Sequence, residues 1–203
     1  MSKVILPLFY FPNIQWFSEF LNSENHVVLE GYEIFPKQTY RNRCEIAAAN
    51  GKLKLMIPIQ KSSDRIYKNV KISFAEDWRK IHWRSIKTAY KNSPYFYFYE
   101  PRFEKLYTSD IQSIFEFNVK ALQLILKILK SEKEFFFTEN YQHEVEGRDL
   151  RKEFSTKKGN SGNLPEYYQV FSEKLGFIPN LSILDLIFNL GPEANVYLKK
   201  LTE

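Results

Sequence analysis

The sequence predicts an α/β fold: a mixed sheet opened by an N-terminal βαβ unit, then a β-hairpin at Asn50-Gly51 and a mostly helical C-terminal half. Three observations carry this. Two apolar runs, residues 4–10 and 26–30, flank a stretch of helical spacing. The Asn50-Gly51 dipeptide sits between alternating apolar and polar residues. From Asp110 onward the apolar residues recur mainly at helical spacing.

The first run, Val4-Ile-Leu-Pro-Leu-Phe-Tyr10, is too apolar for an exposed strand and suits a buried central one, with Pro7 as the dissonant residue. Pro12-Asn13 leads into a helix in which Ile14, Phe17 and Leu21 share a face. A strand, a helix and a second strand at this spacing form the unit of a parallel sheet. At Asn50-Gly51 both residues tolerate the positive φ of a two-residue turn. Pairing Ala49 with Lys52 sets Ile46 opposite Leu55 and Cys44 opposite Ile57. Cys44, Ile46, Leu53, Leu55, Ile57 and Ile59 then share the apolar face, and Arg41 and Arg43 project from the other. A third β segment is expected over 69–74.

Asp77 caps a helix that runs from Trp78 to about residue 90 and stops before Asn92-Ser-Pro94. Trp78, Ile81, Ile86 and Ala89 form its buried face, with His82 on the same side. Lys80, Arg84, Lys87 and Lys91 fall on one basic stripe that no acid of that helix pairs beyond its start. Tyr95-Phe-Tyr-Phe-Tyr99 alternates and reads as a strand, either core or a platform on which a sugar or base could stack. A long amphipathic helix over 110–130, a strand at 135–138 and a helix over 164–175 closed by Gly176 follow. Next come a helix over 182–190, opened by a Ser182/Asp185 capping box, and a last helix over 192–201. Residues 144–164, with Gly147, Gly159 and Gly162 among charged and small polar residues, read as a mobile loop. No repeat or linker divides the chain, so a single domain over 1–203 is expected.

Composition, 44% hydrophobic and 26% charged, is that of a globular domain. The apolar start carries Pro7 and Pro12 and no small-residue cleavage site, which argues against a signal peptide. The greasiest stretch, residues 122–129, is interrupted by Lys127 and falls far short of the ~20 apolar residues of a membrane span. With a single cysteine, Cys44, no internal disulfide can form, which fits a reducing cytoplasm. Charge is uneven. Residues 37–91 hold 14 Lys and Arg against 4 Asp and Glu, net +10, while the whole chain is +5. Such asymmetry points to an anionic partner on that region.

Familiar catalytic sequences are missing. There is no Gly-rich phosphate loop and no G-x-S-x-G elbow. His26, His82 and His143 lack metal-ligand spacing, so no metal is expected, and no motif specifies a cofactor. What remains is Lys37-Gln-Thr-Tyr-Arg-Asn-Arg43. On an extended strand Arg41 and Arg43 point to one side and could clamp a phosphate or carboxylate, with Lys37 and Gln38 on the same rim. Lys80 and Lys87 of the helical stripe are secondary candidates. His82 could serve as an acid or base because imidazole titrates near neutrality.

These residues assemble into a known pattern. Leu8-Phe-Tyr-Phe-Pro12, Tyr40-Arg-Asn-Arg43, Trp78-Arg-Lys-Ile-His82, Ala89-Tyr-Lys-Asn-Ser-Pro-Tyr-Phe96, Asp149-Leu-Arg151 and Leu181-Ser-Ile-Leu-Asp185 together resemble the WbqC-like protein family. The tail from Tyr168 through Pro179 is similar to shorter members of Bacteroidetes-type bacteria. That family is associated with bacterial surface-polysaccharide and lipopolysaccharide O-antigen gene clusters. The resemblance therefore implies a cytoplasmic protein, a transferase in class, that handles a sugar nucleotide or other phosphorylated donor. Lys37, Gln38, Tyr40, Arg41, Asn42, Arg43, Tyr90, Asp149 and Arg151 would contact it, and His82 or Tyr10 would act as acid or base. A looser analogy links the first strand and helix to nucleotidylyltransferase folds, but Pro12-Asn-Ile-Gln-Trp16 stands where their histidine signature would be. A non-catalytic partner of a polysaccharide-assembly complex and a nucleic-acid-binding module are the alternative readings; the second ranks below.

Overall fold

Asn13 starts the first helix by accepting a hydrogen bond from the Trp16 N–H at 3.0 Å, satisfying one orphan donor of its first turn. In the computed structural model, which describes residues 2–154 and 164–202, this helix, α1 (Ile14–Leu21), joins β1 (Ser2–Pro7) to β2 (Asn25–Glu30). The two strands pair in parallel, Val4 beside Val27 and Pro7 beside Glu30. Ile14, Trp16, Phe17 and Phe20 bury the apolar face of α1, and the Trp16 indole donates to the Pro7 carbonyl at 2.9 Å. Pro7 is tolerated because it is the last residue of β1.

The hairpin comprises β3 (Arg43–Ala48) and β4 (Gly51–Met56). Its register differs from expectation by two residues: Ala48 pairs Gly51, Ile46 pairs Leu53 and Cys44 pairs Leu55. Gly51 takes the positive φ, +110°, so the turn closes one residue earlier. A two-residue slip preserves side-chain parity, and Cys44, Ile46, Leu55 and Ile57 are buried as expected, whereas Leu53 near the turn is exposed and Ile59 half-buried. Residues 69–74 do not form a strand. A 3-10 turn, Tyr67–Asn69, precedes two isolated bridges, Ile59 to Ile72 and Lys71 to Ser113, because the segment divides its backbone bonds between two different neighbours.

Helix α2 (Trp78–Tyr90) starts at Asp77, whose side chain accepts from the Lys80 N–H. Trp78, His82, Ile86 and Ala89 are buried, but Ile81 is exposed, lying roughly a quarter-turn from the centre of that face. The strand expected over 95–99 is helical instead, the first turn of α3 (Phe96–Tyr107). Alternating Tyr and Phe offer no polar–apolar contrast, so the alternation carried no information on burial. The inward residues, Phe96, Tyr99, Phe103 and Leu106, follow helical spacing.

Helix α4 (Ile114–Ile128) is followed by β5 (Phe135–Phe137) and β6 (Arg148–Asp149). Both strands are parallel to their neighbours, and the sheet order is β5-β2-β1-β6. Part of the loop expected over 144–164 is thus a sheet strand; residues 155–163 lie outside the described residues. Of the helix expected over 164–175 only α5 (Ser172–Leu175) forms, since Gln169 hydrogen bonds to both the N–H and the carbonyl of Ile178 and holds a looped backbone. Helices α6 (Ile183–Leu190) and α7 (Glu193–Lys200) end the chain's described part. Ser182 caps α6 through the Leu184 N–H, and Asp185 turns into the core instead of completing a capping box. Phe188 of α6 meets Tyr90, Phe96 and Phe103, each at 5.1 Å between ring centroids, and so joins α2, α3 and α6 in one core.

Candidate functional site

Parallel sheets gather their loops at the carboxyl ends of the strands, where open α/β folds hold ligands. Here that edge brings together Glu30 at the end of β2, Thr138 after β5, Arg151 after β6 and the loop from Leu8 to Asn13 after β1. Phe11 in that loop has φ of 41°, a left-handed conformation unusual for a bulky residue, and its carbonyl accepts from the Ser182 hydroxyl at 3.0 Å.

The edge is filled by an ionic cluster in which Glu30, Glu33, Arg41 and Arg151 are buried and Asp149 is exposed. Arg151 donates through Nη1 to Glu30 Oε2 at 3.0 Å and, by a two-point fork, to Asp149 at 2.9 and 2.7 Å. Glu30 also accepts from the Thr138 hydroxyl and the Tyr32 N–H, each at 2.8 Å. Arg41 forks onto Glu33, with Nη2 to Oε2 at 2.7 Å, and reaches the Arg151 carbonyl at 3.3 Å. Its own carbonyl accepts from Asn118 Nδ2 at 2.7 Å, and the same amide group donates to the Tyr67 hydroxyl. Burial pushes the Glu33 carboxyl up against the opposing pull of Arg41. The hydrogen bonds from Arg151 hold Asp149 below the usual carboxylate range.

This cluster disposes of the clamp expected from Arg41 and Arg43. Arg41 is 4% exposed and turned inward onto Glu33, while Arg43 starts β3 and donates to the Gln38 carbonyl. Parity along an extended strand cannot apply, because Arg41 precedes the strand. Arg151 is also committed, to Asp149 and to Glu30.

The other expected rim residues do converge. Lys37, Gln38 and Asn42 line a groove of about 460 Å³ beside the end of β4, with Phe35, Met56, Ile57, Pro58 and Val70 as its apolar wall. Gln60, Lys61, Asp64 and Arg65 complete it. Three cations, Lys37, Lys61 and Arg65, thus share the lining with one carboxylate among the described residues, Asp64, which accepts from the Asn69 amide at 2.8 Å and the Ile66 N–H at 3.0 Å, while Arg65 donates to the Phe35 carbonyl at 3.1 Å. Asn42 donates to the Ile57 carbonyl at 3.0 Å, and its Oδ1 is buried with no hydrogen-bond partner among the described residues. Tyr40 lies against Phe9, and burial raises its hydroxyl to about 12.

Tyr10 and His82 meet as neighbours, Tyr10 hydroxyl to His82 Nδ1 at 2.9 Å, and the Tyr107 hydroxyl bonds to Tyr10 behind them. Desolvation lowers His82 to about 4, and its hydrogen bond to the Met56 backbone opposes this only partly. The neutral ring therefore accepts from Tyr10 and donates to Met56, all within the protein interior. Neither residue lines the groove. On the basic stripe, Lys87 is paired across helices to Glu100 at 2.6 Å, while Lys80 is exposed; neither lines the groove. Tyr90 is buried and donates to Asp185 Oδ1 at 3.0 Å. Asp185 also accepts from Tyr167 and Gln169, at 2.6 and 2.9 Å, and burial lifts it to about 6.

Sequence reasoning missed Glu30, Glu33, Lys61 and Arg65. An acid closing an otherwise apolar run, as Glu30 does, was the available signal for the first. Among the described residues no group of His, Cys, Asp and Glu could hold a metal ion, and no helix is long and apolar enough to cross a membrane. No curated protein and no solved structure matches the chain. Residues 9–162, spanning the edge cluster, the hairpin, the groove and the Tyr10–His82 pair, match one family over well more than half of the sequence, and the chain belongs to the WbqC-like protein family.

Proposed function

We propose that the protein binds a phosphorylated sugar donor, a sugar 1-phosphate or sugar nucleotide, in the groove beside β4, and serves as a cytoplasmic transferase in bacterial surface-polysaccharide assembly. One observation carries the reading: Lys37, Lys61 and Arg65 line a mostly apolar groove whose only acid among the described residues, Asp64, is already hydrogen bonded. Unneutralised cations around an apolar concavity suit a phosphate attached to a larger body. The association of the family's members with polysaccharide gene clusters supports the choice of a sugar as that body. Arg43 supports the rim by holding the Gln38 carbonyl, where the backbone has φ of 59°. Buried Arg41 and Arg151, the latter paired with Asp149, keep the strand ends in place behind it.

Isothermal titration against hexose 1-phosphates and uridine diphosphate sugars tests this. Saturable binding that weakens by about tenfold or more in the Lys37→Ala/Lys61→Ala double variant is expected. If no member of the panel binds, or the double variant binds as well as the parent, the reading fails. Tighter binding of a random oligonucleotide, falling steeply with salt, would move the assignment to nucleic acid.

A further inference from the structure

We infer that the face of the parallel sheet turned away from α1 carries a second binding site, and that it takes a dipeptide held by its free amino and carboxyl ends. Side chains alternate along each strand. Val4 and Leu6 of β1 and Val27 and Leu29 of β2 belong to the main core, on the face where Phe135, level with Val27, meets Phe20 of α1. Ile5 and Val28 are buried outside that core, on the opposite face. There they line an open cavity of about 390 Å³ together with Lys3, His26, Glu139, Asn140 and Gln142. It shares no residue with the groove beside β4.

Opposite charges line this cavity without neutralising one another. Among the described residues Lys3 and Glu139 form no ion pair, and no hydrogen bond engages the side chains of Asn140 and Gln142. The strand register explains the separation. Lys3 pairs with His26, whereas Phe137 pairs with Leu29, so Thr138 and then Glu139 follow about 13 Å further along the strands. Lys3 and Glu139 therefore belong to opposite ends of the cavity. A ligand that satisfies both needs an ammonium and a carboxylate several bonds apart. An extended dipeptide separates its ends by about 7 Å, and the reach of the Lys3 and Glu139 side chains covers the difference. Between the ends, the amides of Asn140 and Gln142 each offer donors and an acceptor, the complement of a peptide N–H and C=O. The floor of Ile5 and Val28 suits small apolar side chains. A sugar phosphate offers Glu139 no ammonium, so the site does not duplicate the groove.

Isothermal titration with the dipeptides built from Gly, Ala, Val and Leu tests this. At least one is expected to bind saturably, and N-acetylation or C-terminal amidation of that dipeptide should each weaken it about tenfold. In Glu139→Gln the penalty for acetylation, and in Lys3→Gln the penalty for amidation, should fall to about twofold or less. Both positions are exposed, so neither exchange endangers the fold. Dipeptide binding should be unaltered in the Lys37→Ala/Lys61→Ala variant; its loss there would place the peptide in the groove and overturn the inference. The inference also fails if no dipeptide of the set binds, if the blocked forms bind as well as the free one, or if the constituent free amino acids bind equally tightly.

Discussion

Arg41 is fixed to Glu33 by a two-point guanidinium–carboxylate fork, with both side chains almost wholly out of solvent. The pair lies where the chain passes from the end of β2 to the start of β3, so it sets the path of the segment carrying Lys37, Gln38 and Asn42. Removing one partner leaves a buried charge uncompensated. Arg41→Ala should cost about 3–5 kcal/mol in urea unfolding, whereas a combined Arg41→Met/Glu33→Leu replacement should recover much of that loss. Equal destabilisation by both would mean that the ion pair itself, not the stranded charge, dominates.

His82 makes stability depend on acid. Its folded-state pKa of about 4 lies below the ordinary 6.5, so the unfolded chain binds more protons between those values. The stability it contributes is full above pH 6.5 and is lost as pH falls toward 4, by about 3 kcal/mol in total. Relative to the parent, His82→Gln should gain stability in denaturant titrations as pH falls from 6.5 to 4, although the variant is weaker at pH 7 for want of the Tyr10 and Met56 bonds. An unchanged pH profile would show that the ring is not held neutral.

Asp185 works in the opposite direction. Its folded pKa, about 6, is raised above 3.8, so the native state holds more protons in that window. Its favourable contribution is present below pH 3.8 and is lost as pH rises through 6, again by about 3 kcal/mol. The two slopes offset one another between pH 4 and 6, and the parent should be nearly level there. Asp185→Asn should expose the His82 slope, with melting temperature falling more steeply on acidification than in the parent.

Gly147 bears on the carboxyl-edge cluster from a distance. Its φ is +99°, and a Cβ there would sit 2.2 Å from the Lys3 carbonyl oxygen, just ahead of the strand that delivers Arg151 to Glu30. Gly147→Ala should lose about 1–3 kcal/mol through strain. Hydrogen exchange at the Leu150 amide, which bonds the Ile5 carbonyl at 2.9 Å, should speed up more than exchange in α4. Uniform acceleration would instead indicate global destabilisation alone.

Much of the fold was legible because it follows from periodicity and caps. Asn13 and Asp77 announced α1 and α2, and the parity of Cys44, Ile46 and Leu55 survived a two-residue error in register. The run Tyr95 to Tyr99 failed because every position is aromatic, leaving helix and strand indistinguishable until Phe188 supplied a surface to pack on. Within the candidate site, Lys37, Gln38 and Asn42 were found from their place beside the hairpin. Lys61 and Arg65 were not, because they follow no repeat and come near Lys37 only through loop closure.

By itself the sequence determined the βαβ start, the inward parity of Cys44, Ile46, Leu55 and Ile57 in the hairpin, the burial of Trp78, Ile86 and Ala89 in α2 and a concentration of positive charge over residues 37–91. The tertiary structure alone decided which of those charges remain available. Arg41 is consumed by Glu33 and Lys87 by Glu100, whereas Lys37 and Lys61 line the groove without an ion pair among the described residues. The reason is physical: periodicity reports which way a side chain leaves its own element, but ion pairing depends on the acid that another element brings within about 3 Å.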